Sequence, residues 1–344
     1  PAPLDGGEPS LNRRKPAHLA SAMLLWLSSR AGLRRLSDGS PPSSGAGEPL
    51  QALAAQIARV GAEAVGAALD REVLRRAGRF LDGVEAYRGH PYRRPPARVP
   101  VLWRQGTTRL LDFGQGRGGP AILVVPSLIN RYYVLDLLRE RSFLRHLAAQ
   151  GLRPLVVDWG APGRAERGFT LADYITRRLA AAATAARAAA GAPCALLGYC
   201  MGGLLALALA LRRPGDTACL ALLATPWDFH AERPEQARLL GALVDGLALL
   251  GGGADALPVA VVQSLFVTLD PFLAERKFVR FAGLDPGGAA AREFVALEDW
   301  INDGVPLAAA VARDCAGSWY RDNEPALGLW QVAGAPVRAQ ALDV

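Results

Sequence analysis

The sequence predicts an α/β fold in which helices cover both faces of a mostly parallel sheet. Beyond residue 100, short apolar runs bounded by turns alternate with helical stretches, an order typical of parallel strands joined by helical crossovers. Hydrophobic residues make up 51% of the 344 residues and charged residues 21%, so the chain can bury a sizeable core. This length allows one large domain or two ordinary ones.

Five short apolar runs are expected to form the strands of this sheet. In chain order they span residues 109–113, 121–125, 155–159, 195–199 and 219–225. Three helices are expected between them, at residues 142–150, 170–190 and 202–213. Thr170 is expected to cap the long Ala-rich helix, because Asp173 follows three residues later as in a capping box.

The N-terminal third of the chain has a different pattern. Clusters of Pro, Gly and Ser at both ends of residues 1–50 indicate a poorly ordered arm around one short helix. Residues 50–82 have apolar residues at helical spacing, and residues 88–100 are basic and broken by prolines. We therefore predict an N-terminal helical region and linker at 1–95 and an α/β domain at 96–344.

A second irregular region interrupts the α/β domain. Residues 230–315 are apolar and helical in pattern, with a break at Gly251, Gly252 and Gly253 and no clear strand. An insertion of this size after a core strand is typical of a lid or cap. Residues 333–344 form a Gly/Pro turn that leads toward what should be a further strand.

Composition narrows the classes of function. The net charge is +7, and all basic residues except Lys15 and Lys277 are arginines spread along the chain, so we expect no nucleic-acid partner. Four cysteines in so long a chain do not form a disulfide framework, which favours a reducing cytoplasm. No pair of cysteines has zinc-ligand spacing, and no metal or cofactor is expected. No apolar run reaches the length of a membrane span.

One motif dominates the sequence. Residues 198–203 (Gly-Tyr-Cys-Met-Gly-Gly) lie between a predicted strand and a predicted helix, in the cysteine form of the G-x-S-x-G nucleophile elbow. Glycines two positions before and after Cys200 would let the chain pass a tight turn without a Cβ clash. The start of the following helix should favour the thiolate of Cys200, and the Met201 N–H should form half of an oxyanion hole.

Two further interpretations accompany this motif. Cys200 could instead be a buried structural cysteine beside a Gly-rich turn, since free cysteine is among the most buried residues. The second oxyanion donor is expected from the loop after residues 121–125, at the N–H of Leu128 or Ile129. That loop could also be an ordinary turn in which Asn130 caps the next helix. This interpretation is compatible with an oxyanion donor in the same loop.

A partner acid and base for Cys200 are harder to find. Asp228 follows the strand at 219–225 and is a possible acid, although a helix cap at the entrance to the insertion is the favoured interpretation. His230 could reach Cys200 only if the insertion folds back. The remaining histidines, for which a surface or packing role is expected, all precede Cys200: His18, His90 and His146. Asp343 is not assigned as the acid.

Several segments of the chain resemble a known family, the polyhydroxyalkanoate synthases of the α/β-hydrolase superfamily. The resemblance covers about residues 80–344 in order. It is carried by five segments: GVEAYRGHPYRR (83–94), LW with RLLDFG (102–114), PSLINRYYVLDL (126–137), the elbow (198–203) and LEDWINDGVPL (297–307). Dienelactone hydrolases share a Gly-Tyr-Cys elbow, but they are shorter and lack the 130–133 segment and the long insertion.

The resemblance implies an acyltransferase that polymerises (R)-3-hydroxyacyl groups from coenzyme A thioesters. Cys200 would attack the thioester and release CoA, and a histidine would deprotonate the 3-hydroxyl that attacks next. An apolar lid would exclude water. The resemblance also implies a homodimer in the cytoplasm, association with the surface of polymer granules, and a hydroxyacyl-CoA and the growing polyester chain as partners.

The same resemblance implies that the acid and the histidine lie after two further core strands. These would follow Val344, so we expect a C-terminally incomplete chain, with a degenerate paralogue as the alternative. Two other functions stay open: a hydrolase of the same fold (thioesterase, dienelactone-hydrolase-like enzyme or depolymerase), and an inactive truncated paralogue that acts as a scaffold. The sequence fixes neither the acyl chain length nor the oligomeric state.

Overall fold

A computed structural model describes residues 48–250, 255–267, 270 and 272–342. The predicted N-terminal arm with His18, the Gly251–Gly253 break and Asp343 lie outside the described residues. Helix α1 (Glu48–Val60) and helix α2 (Ala62–Gly89) are separated at Gly61, whose φ of 93° interrupts the helical backbone. No single helix among the described residues is long and apolar enough to cross a membrane, although the bent pair α1 and α2 passes by length and composition.

Six strands form the main sheet. In chain order they are β1 (Val101–Gln105), β2 (Thr108–Asp112), β3 (Ala121–Val125), β4 (Arg153–Asp158), β5 (Cys194–Tyr199) and β6 (Thr217–Leu223). Their order across the sheet is β1-β2-β4-β3-β5-β6. Strand β1 pairs antiparallel with β2, and β2 pairs antiparallel with β4, whereas β4, β3, β5 and β6 run parallel. The sheet is therefore mostly parallel, as predicted.

Helices cover both faces of this sheet. They are α3 (Phe143–Ala149), α4 (Leu171–Asp173), a π-helix (Tyr174–Leu179) that continues into α5 (Ala180–Ala190), and α6 (Met201–Arg212). Side chains of successive strand residues point to opposite faces. Leu123 of β3 accordingly packs in one buried cluster with Leu204 of α6, while Val124 packs in another with Leu144 of α3.

The predicted cap of the long helix is confirmed. The Thr170 hydroxyl accepts the Asp173 N–H at 3.2 Å, and the Asp173 carboxylate accepts the Thr170 N–H at 3.0 Å, which completes a capping box. The helix itself is not uniform as predicted, because its second segment has the wider π-helical turn. Such a turn adds one residue to the hydrogen-bonded loop, and side-chain periodicity alone does not reveal it.

Beyond β6 the described chain is mainly helical. The elements are α7 (Pro234–Leu250), β7 (Ala256–Leu257), α8 (Val259–Val267), α9 (Leu273–Ala282), α10 (Ala289–Asn302), β8 (Leu307–Ala308), α11 (Ala309–Asp314), a second π-helix (Cys315–Arg321), α12 (Glu324–Leu327), β9 (Gln331–Val332) and β10 (Ala335–Pro336). The antiparallel pairs β7–β8 and β9–β10 are two residues long on each side, too short to give a strand pattern in the sequence.

The chain divides into two compact units. One consists of residues 1–92 and 266–295, and the other of residues 93–265 and 296–344. In the first unit, Tyr87 of α2 packs edge-on against Phe278 of α9, with ring centroids 5.8 Å apart. The sequence placed one domain boundary at residues 95 and 96, and that domain division stays a prediction. Residues 230–315, predicted as a lid, are shared between the two units.

Candidate active site

Cys200 lies at a sharp turn between strand β5 and helix α6. Its backbone has φ 53° and ψ −131°, a conformation that costs a residue with a Cβ on the order of 1–3 kcal/mol. Hydrogen bonds hold the turn on both sides: the Cys200 N–H donates to the Leu223 carbonyl at the end of β6 at 2.9 Å, and the Gly203 N–H donates to the Cys200 carbonyl at 2.9 Å. The surrounding sheet therefore imposes the strained conformation.

The glycines around Cys200 are required by close backbone packing. A Cβ on Gly202 would overlap the carbonyl oxygens of Val125 and Pro126, which are backbone atoms of the sheet and its following loop. A Cβ on Gly198 would overlap the backbone of Gly203 in the first turn of α6. The turn, the strand before it and the loop after β3 consequently meet within van der Waals distance.

The Cys200 sulfur is half-buried at this turn. Burial raises the pKa of the Cys200 thiol, and the hydrogen bond from the Met201 N–H offsets this only in part, so the net pKa lies above the ordinary value. The sequence argument expected the helix start to favour the thiolate. The structure differs because desolvation of the sulfur outweighs that contribution.

The loop after β3 passes directly beside this turn. The Ser127 hydroxyl accepts the Ile129 N–H at 3.1 Å and points to the Met201 sulfur at 3.8 Å, while the Trp159 indole N–H donates to the Pro126 carbonyl at 2.9 Å. Of the two expected oxyanion donors, the Ile129 N–H is thus already bonded. No described residue accepts a hydrogen bond from the Leu128 N–H.

Asp228 and His230 are tied to the chain around residue 320. Oδ1 of the exposed Asp228 carboxylate accepts the Asn323 amide at 2.8 Å and the His230 N–H at 2.9 Å, and these two hydrogen bonds lower its pKa. The His230 Nε2 atom lies 2.8 Å from the Tyr320 carbonyl oxygen. Asp228 therefore orders the segment after β6. Among the described residues it hydrogen-bonds neither a histidine ring nor the first turn of a helix, since α7 begins only at Pro234, so the capping interpretation is not borne out either.

The other two described histidines are His90 and His146. His90 is buried in the first unit, where its Nε2 atom lies 2.9 Å from the Pro286 carbonyl oxygen and its Nδ1 atom accepts the Tyr92 N–H at 3.1 Å. His146 lies in the last turn of α3. His90 thus has a packing role, as expected.

Tyr320 is a site residue that sequence reasoning missed. Its ring packs edge-on against Phe229, with centroids 4.9 Å apart, in the second π-helix. Burial raises the pKa of Tyr320 to about 12, and the negative charges that Cys315 and Cys200 would carry as thiolates add to the increase. No local pattern links Tyr320 to a cysteine 120 positions earlier, so only the folded chain reveals the proximity.

Within the described ranges, no three His, Cys, Asp or Glu side chains are grouped so that they could hold a metal ion.

The chain matches the family model described as alpha/beta hydrolase fold over residues 120–248. It is 31% identical to the poly(3-hydroxyalkanoate) polymerase subunit PhaC of Allochromatium vinosum over 59% of this chain and 57% of that protein. It is 28% identical to the subunit of the same name from Haloferax mediterranei, over 71% and 51% of the two chains. With the subunit from Cupriavidus necator it shares 37% identity over 42% and 25%.

The chain is similar in sequence to polyhydroxyalkanoate synthases and contains an alpha/beta hydrolase domain. The α/β-hydrolase fold predicted from the sequence is confirmed by the family model and by the mostly parallel sheet. The chain spans about half the length of the first synthase-family relatives that it matches, 57% and 51%.

Proposed function

We propose that this protein is a polyhydroxyalkanoate synthase-like acyltransferase in which Cys200 is the nucleophile. The observation that carries the proposal is the position of the Cys200 sulfur, half-exposed on a strained turn at the start of α6. Nucleophiles of this fold are held in the same way, between a strand and a helix with glycines on both sides.

The first step is transfer of an acyl group from a thioester to the cysteine. The Cys200 sulfur attacks the carbonyl carbon of a 3-hydroxyacyl-CoA, a new C–S bond forms, and the bond to the CoA sulfur breaks. The proton lost by the Cys200 thiol balances the one gained by the CoA thiolate. The products are an acyl-Cys200 thioester and free CoA, and the hydroxyl of a second unit then attacks that thioester to extend the polyester.

The N–H groups of Met201 and Leu128 are the proposed oxyanion donors. The tetrahedral intermediate places a negative charge on the carbonyl oxygen, and two backbone donors stabilise it most where water is excluded. Support comes from the positions of the two groups: Met201 directly follows the nucleophile, and Leu128 lies in the loop packed against Gly202. The Ile129 N–H is a weaker choice because Ser127 already accepts it.

Deprotonation of Cys200 sets a condition on this mechanism. Among the described residues, the hydrogen bonds of His90 and His230 go to main-chain groups. The proposed mechanism therefore needs a proton acceptor other than these bonded ring nitrogens.

The relatives support the proposed substrate and product. They are named as polymerases of 3-hydroxyalkanoates, which implies a hydroxyacyl-CoA donor and a polyester product for this chain. The assignment of Asp228 as an acid is not carried forward into the mechanism. The homodimer, the cytoplasmic location and the association with granules stay predictions.

The test compares wild-type protein with Cys200→Ala on 3-hydroxybutyryl-CoA, with Cys219→Ala as the matched control. Cys219 is an exposed cysteine on β6 and is not part of the proposed site. We expect CoA release, a mass increase on Cys200 and polymer from the wild type and Cys219→Ala, and none of these from Cys200→Ala. Release of monomeric hydroxy acid in place of polymer would assign a hydrolase. Equal CoA release by Cys200→Ala would refute Cys200 as the nucleophile.

A further inference from the structure

The segment Trp300–Val305 binds the loop that contains Leu128 at three successive points. The Val305 N–H donates to the Ile129 carbonyl at 3.5 Å. The Trp300 indole N–H donates to the Arg131 carbonyl at 2.7 Å, and the Tyr133 hydroxyl donates to the Asp303 carboxylate at 2.9 Å. The three contacts are made at residues 129, 131 and 133, so the segment binds the part of the loop that follows Leu128.

The opposite end of the same loop is held by the Cys200 turn. Gly202 packs against the Val125 and Pro126 carbonyls, and Ser127 contacts the Met201 sulfur. The unbonded Leu128 N–H therefore lies between two sets of contacts, one from the start of α6 and one from the end of α10. A change in either set would move this N–H relative to the Cys200 sulfur.

We propose that Trp300 and Asp303 are positioning residues that hold the Leu128 N–H in place for the carbonyl group attacked by Cys200. The inference rests on the proposed function and assigns a role to the segment 297–307, which the mechanism otherwise leaves unused. Neither residue is a catalytic residue, because both act through the loop.

The charges around Tyr133 suit this role. Burial and the neighbouring Asp303 carboxylate raise the pKa of the Tyr133 phenol, so its hydroxyl stays a hydrogen-bond donor at all working pH values. The Arg94 guanidinium lies over the Tyr133 ring, 4.4 Å from its centroid, and fixes the ring from the other side. The Arg131–Asp303 ion pair at 3.3 Å is more exposed and adds little, since such pairs contribute roughly 0–1 kcal/mol.

The experiment compares two reactions of the same sulfur. Acyl transfer from a hydroxyacyl thioester passes through an oxyanion, whereas alkylation by iodoacetamide does not. Both rates are followed by intact-protein mass at one pH in a Cys219→Ala background, so that the exposed cysteine does not compete with Cys200. The variants are Asp303→Ala, Asp303→Asn, which keeps an acceptor for Tyr133, and Trp300→Phe, which removes only the indole donor. Asp245→Ala is the matched control, because Asp245 forms a similarly exposed pair with Arg321.

We expect Asp303→Ala and Trp300→Phe to slow acylation at least about tenfold, since loss of one oxyanion donor costs about 100-fold to 1,000-fold and a displaced donor costs less. Alkylation should stay within about twofold of wild type, and Asp303→Asn should recover most of the acylation rate. If Asp303→Ala leaves the acylation rate unchanged, or slows acylation and alkylation equally, the positioning role is refuted and the proposed function is unaffected. A wild-type protein that is alkylated but never acylated would overturn the proposed function and the inference with it.

Discussion

At the scale of single residues, Cys200 combines a strained backbone with a protonated sulfur. Strain of this kind persists only where the surroundings fix the conformation, and here the Leu223 carbonyl, the Gly203 N–H and the packed glycines do so. Burial keeps the thiol neutral, because the half-buried sulfur is shielded from the water that would solvate a thiolate. The site is shaped for a nucleophile whose activation needs a proton acceptor.

The raised pKa of Cys200 gives a direct prediction. Alkylation of Cys200 by iodoacetamide should increase with pH, and its midpoint should lie above that of a free cysteine such as glutathione, because only the thiolate reacts. The measurement is a pH series of rates in a Cys219→Ala background, so that the exposed cysteine does not compete. A midpoint below that of the free thiol would contradict the prediction, because it would mean that the helix start or a nearby cation lowers the pKa of Cys200 more than burial raises it.

The sharp turn at Cys200 could be predicted from sequence, but the residues packed around it could not. Residues 198–203 are enough to predict the turn, because local steric limits require glycines at fixed distances from Cys200. Tyr320 and Asp303 are more than 100 positions away, and no local pattern encodes such contacts. The expectation of a favoured thiolate failed for the same reason, since burial of the sulfur depends on side chains brought in by the fold.

At the scale of elements, the first π-helix carries a buried ion pair. Arg178 donates to the Glu166 carboxylate at 2.8 Å, and both side chains are almost fully buried. The same carboxylate accepts the Thr107 N–H at 3.2 Å and lies so close to Gly106 that a Cβ there would overlap it. The pair therefore fixes the turn between β1 and β2 against the helix.

Glu166→Gln should destabilise the protein by about 3 kcal/mol at pH 7, because it leaves the buried Arg178 charge without its partner. Burial alone would raise the pKa of Glu166, but the hydrogen bonds from Arg178 and Thr107 lower it overall. The stabilisation by this carboxylate is therefore complete above the ordinary pKa of Glu. It is lost as pH falls through the lower pKa that Glu166 has in the folded protein.

Denaturant unfolding at pH 7 and near pH 3 measures this difference. Glu235→Gln is the matched control, since Glu235 pairs with Arg238 at the surface and its loss should have little effect. A difference between wild type and Glu166→Gln that is equally large at both pH values would contradict the assignment of the stabilisation to the carboxylate.

Elements with their own hydrophobic pattern were predicted, and those without one were not. Strands β2 to β6 and helices α3 and α6 lie within a few residues of their predicted limits. Strand β1 was missed because it is largely exposed and follows a proline-rich segment, so it has no apolar run. The π-helices were missed because one added backbone residue leaves the side-chain pattern almost unchanged.

At the scale of the whole molecule, the described sheet ends at a strand that is unusually open. Strand β6 has only apolar residues after Thr217, yet Leu222 is 48% exposed and Leu223 is 41% exposed. Parallel strands of this composition are normally covered on both faces, and exposed edges usually carry lysine or proline. Neither residue occurs in β6, and among the described residues no strand pairs with its outer edge.

Self-association of the chain should therefore depend on β6. We expect Leu222→Lys to shift the protein toward smaller species in sedimentation velocity across a concentration series, because the charge blocks pairing along the edge. Leu239→Lys, on an exposed position of α7, is the control for loss of apolar surface in general. Equal effects of both substitutions, or none of Leu222→Lys, would show that the edge does not drive association.

The neutral thiol of Cys200 has one more consequence. Peroxide and similar oxidants attack the thiolate, so a sulfur that rests in its protonated form is converted slowly to sulfenic acid and beyond. Burial should therefore slow the oxidation of the Cys200 sulfur.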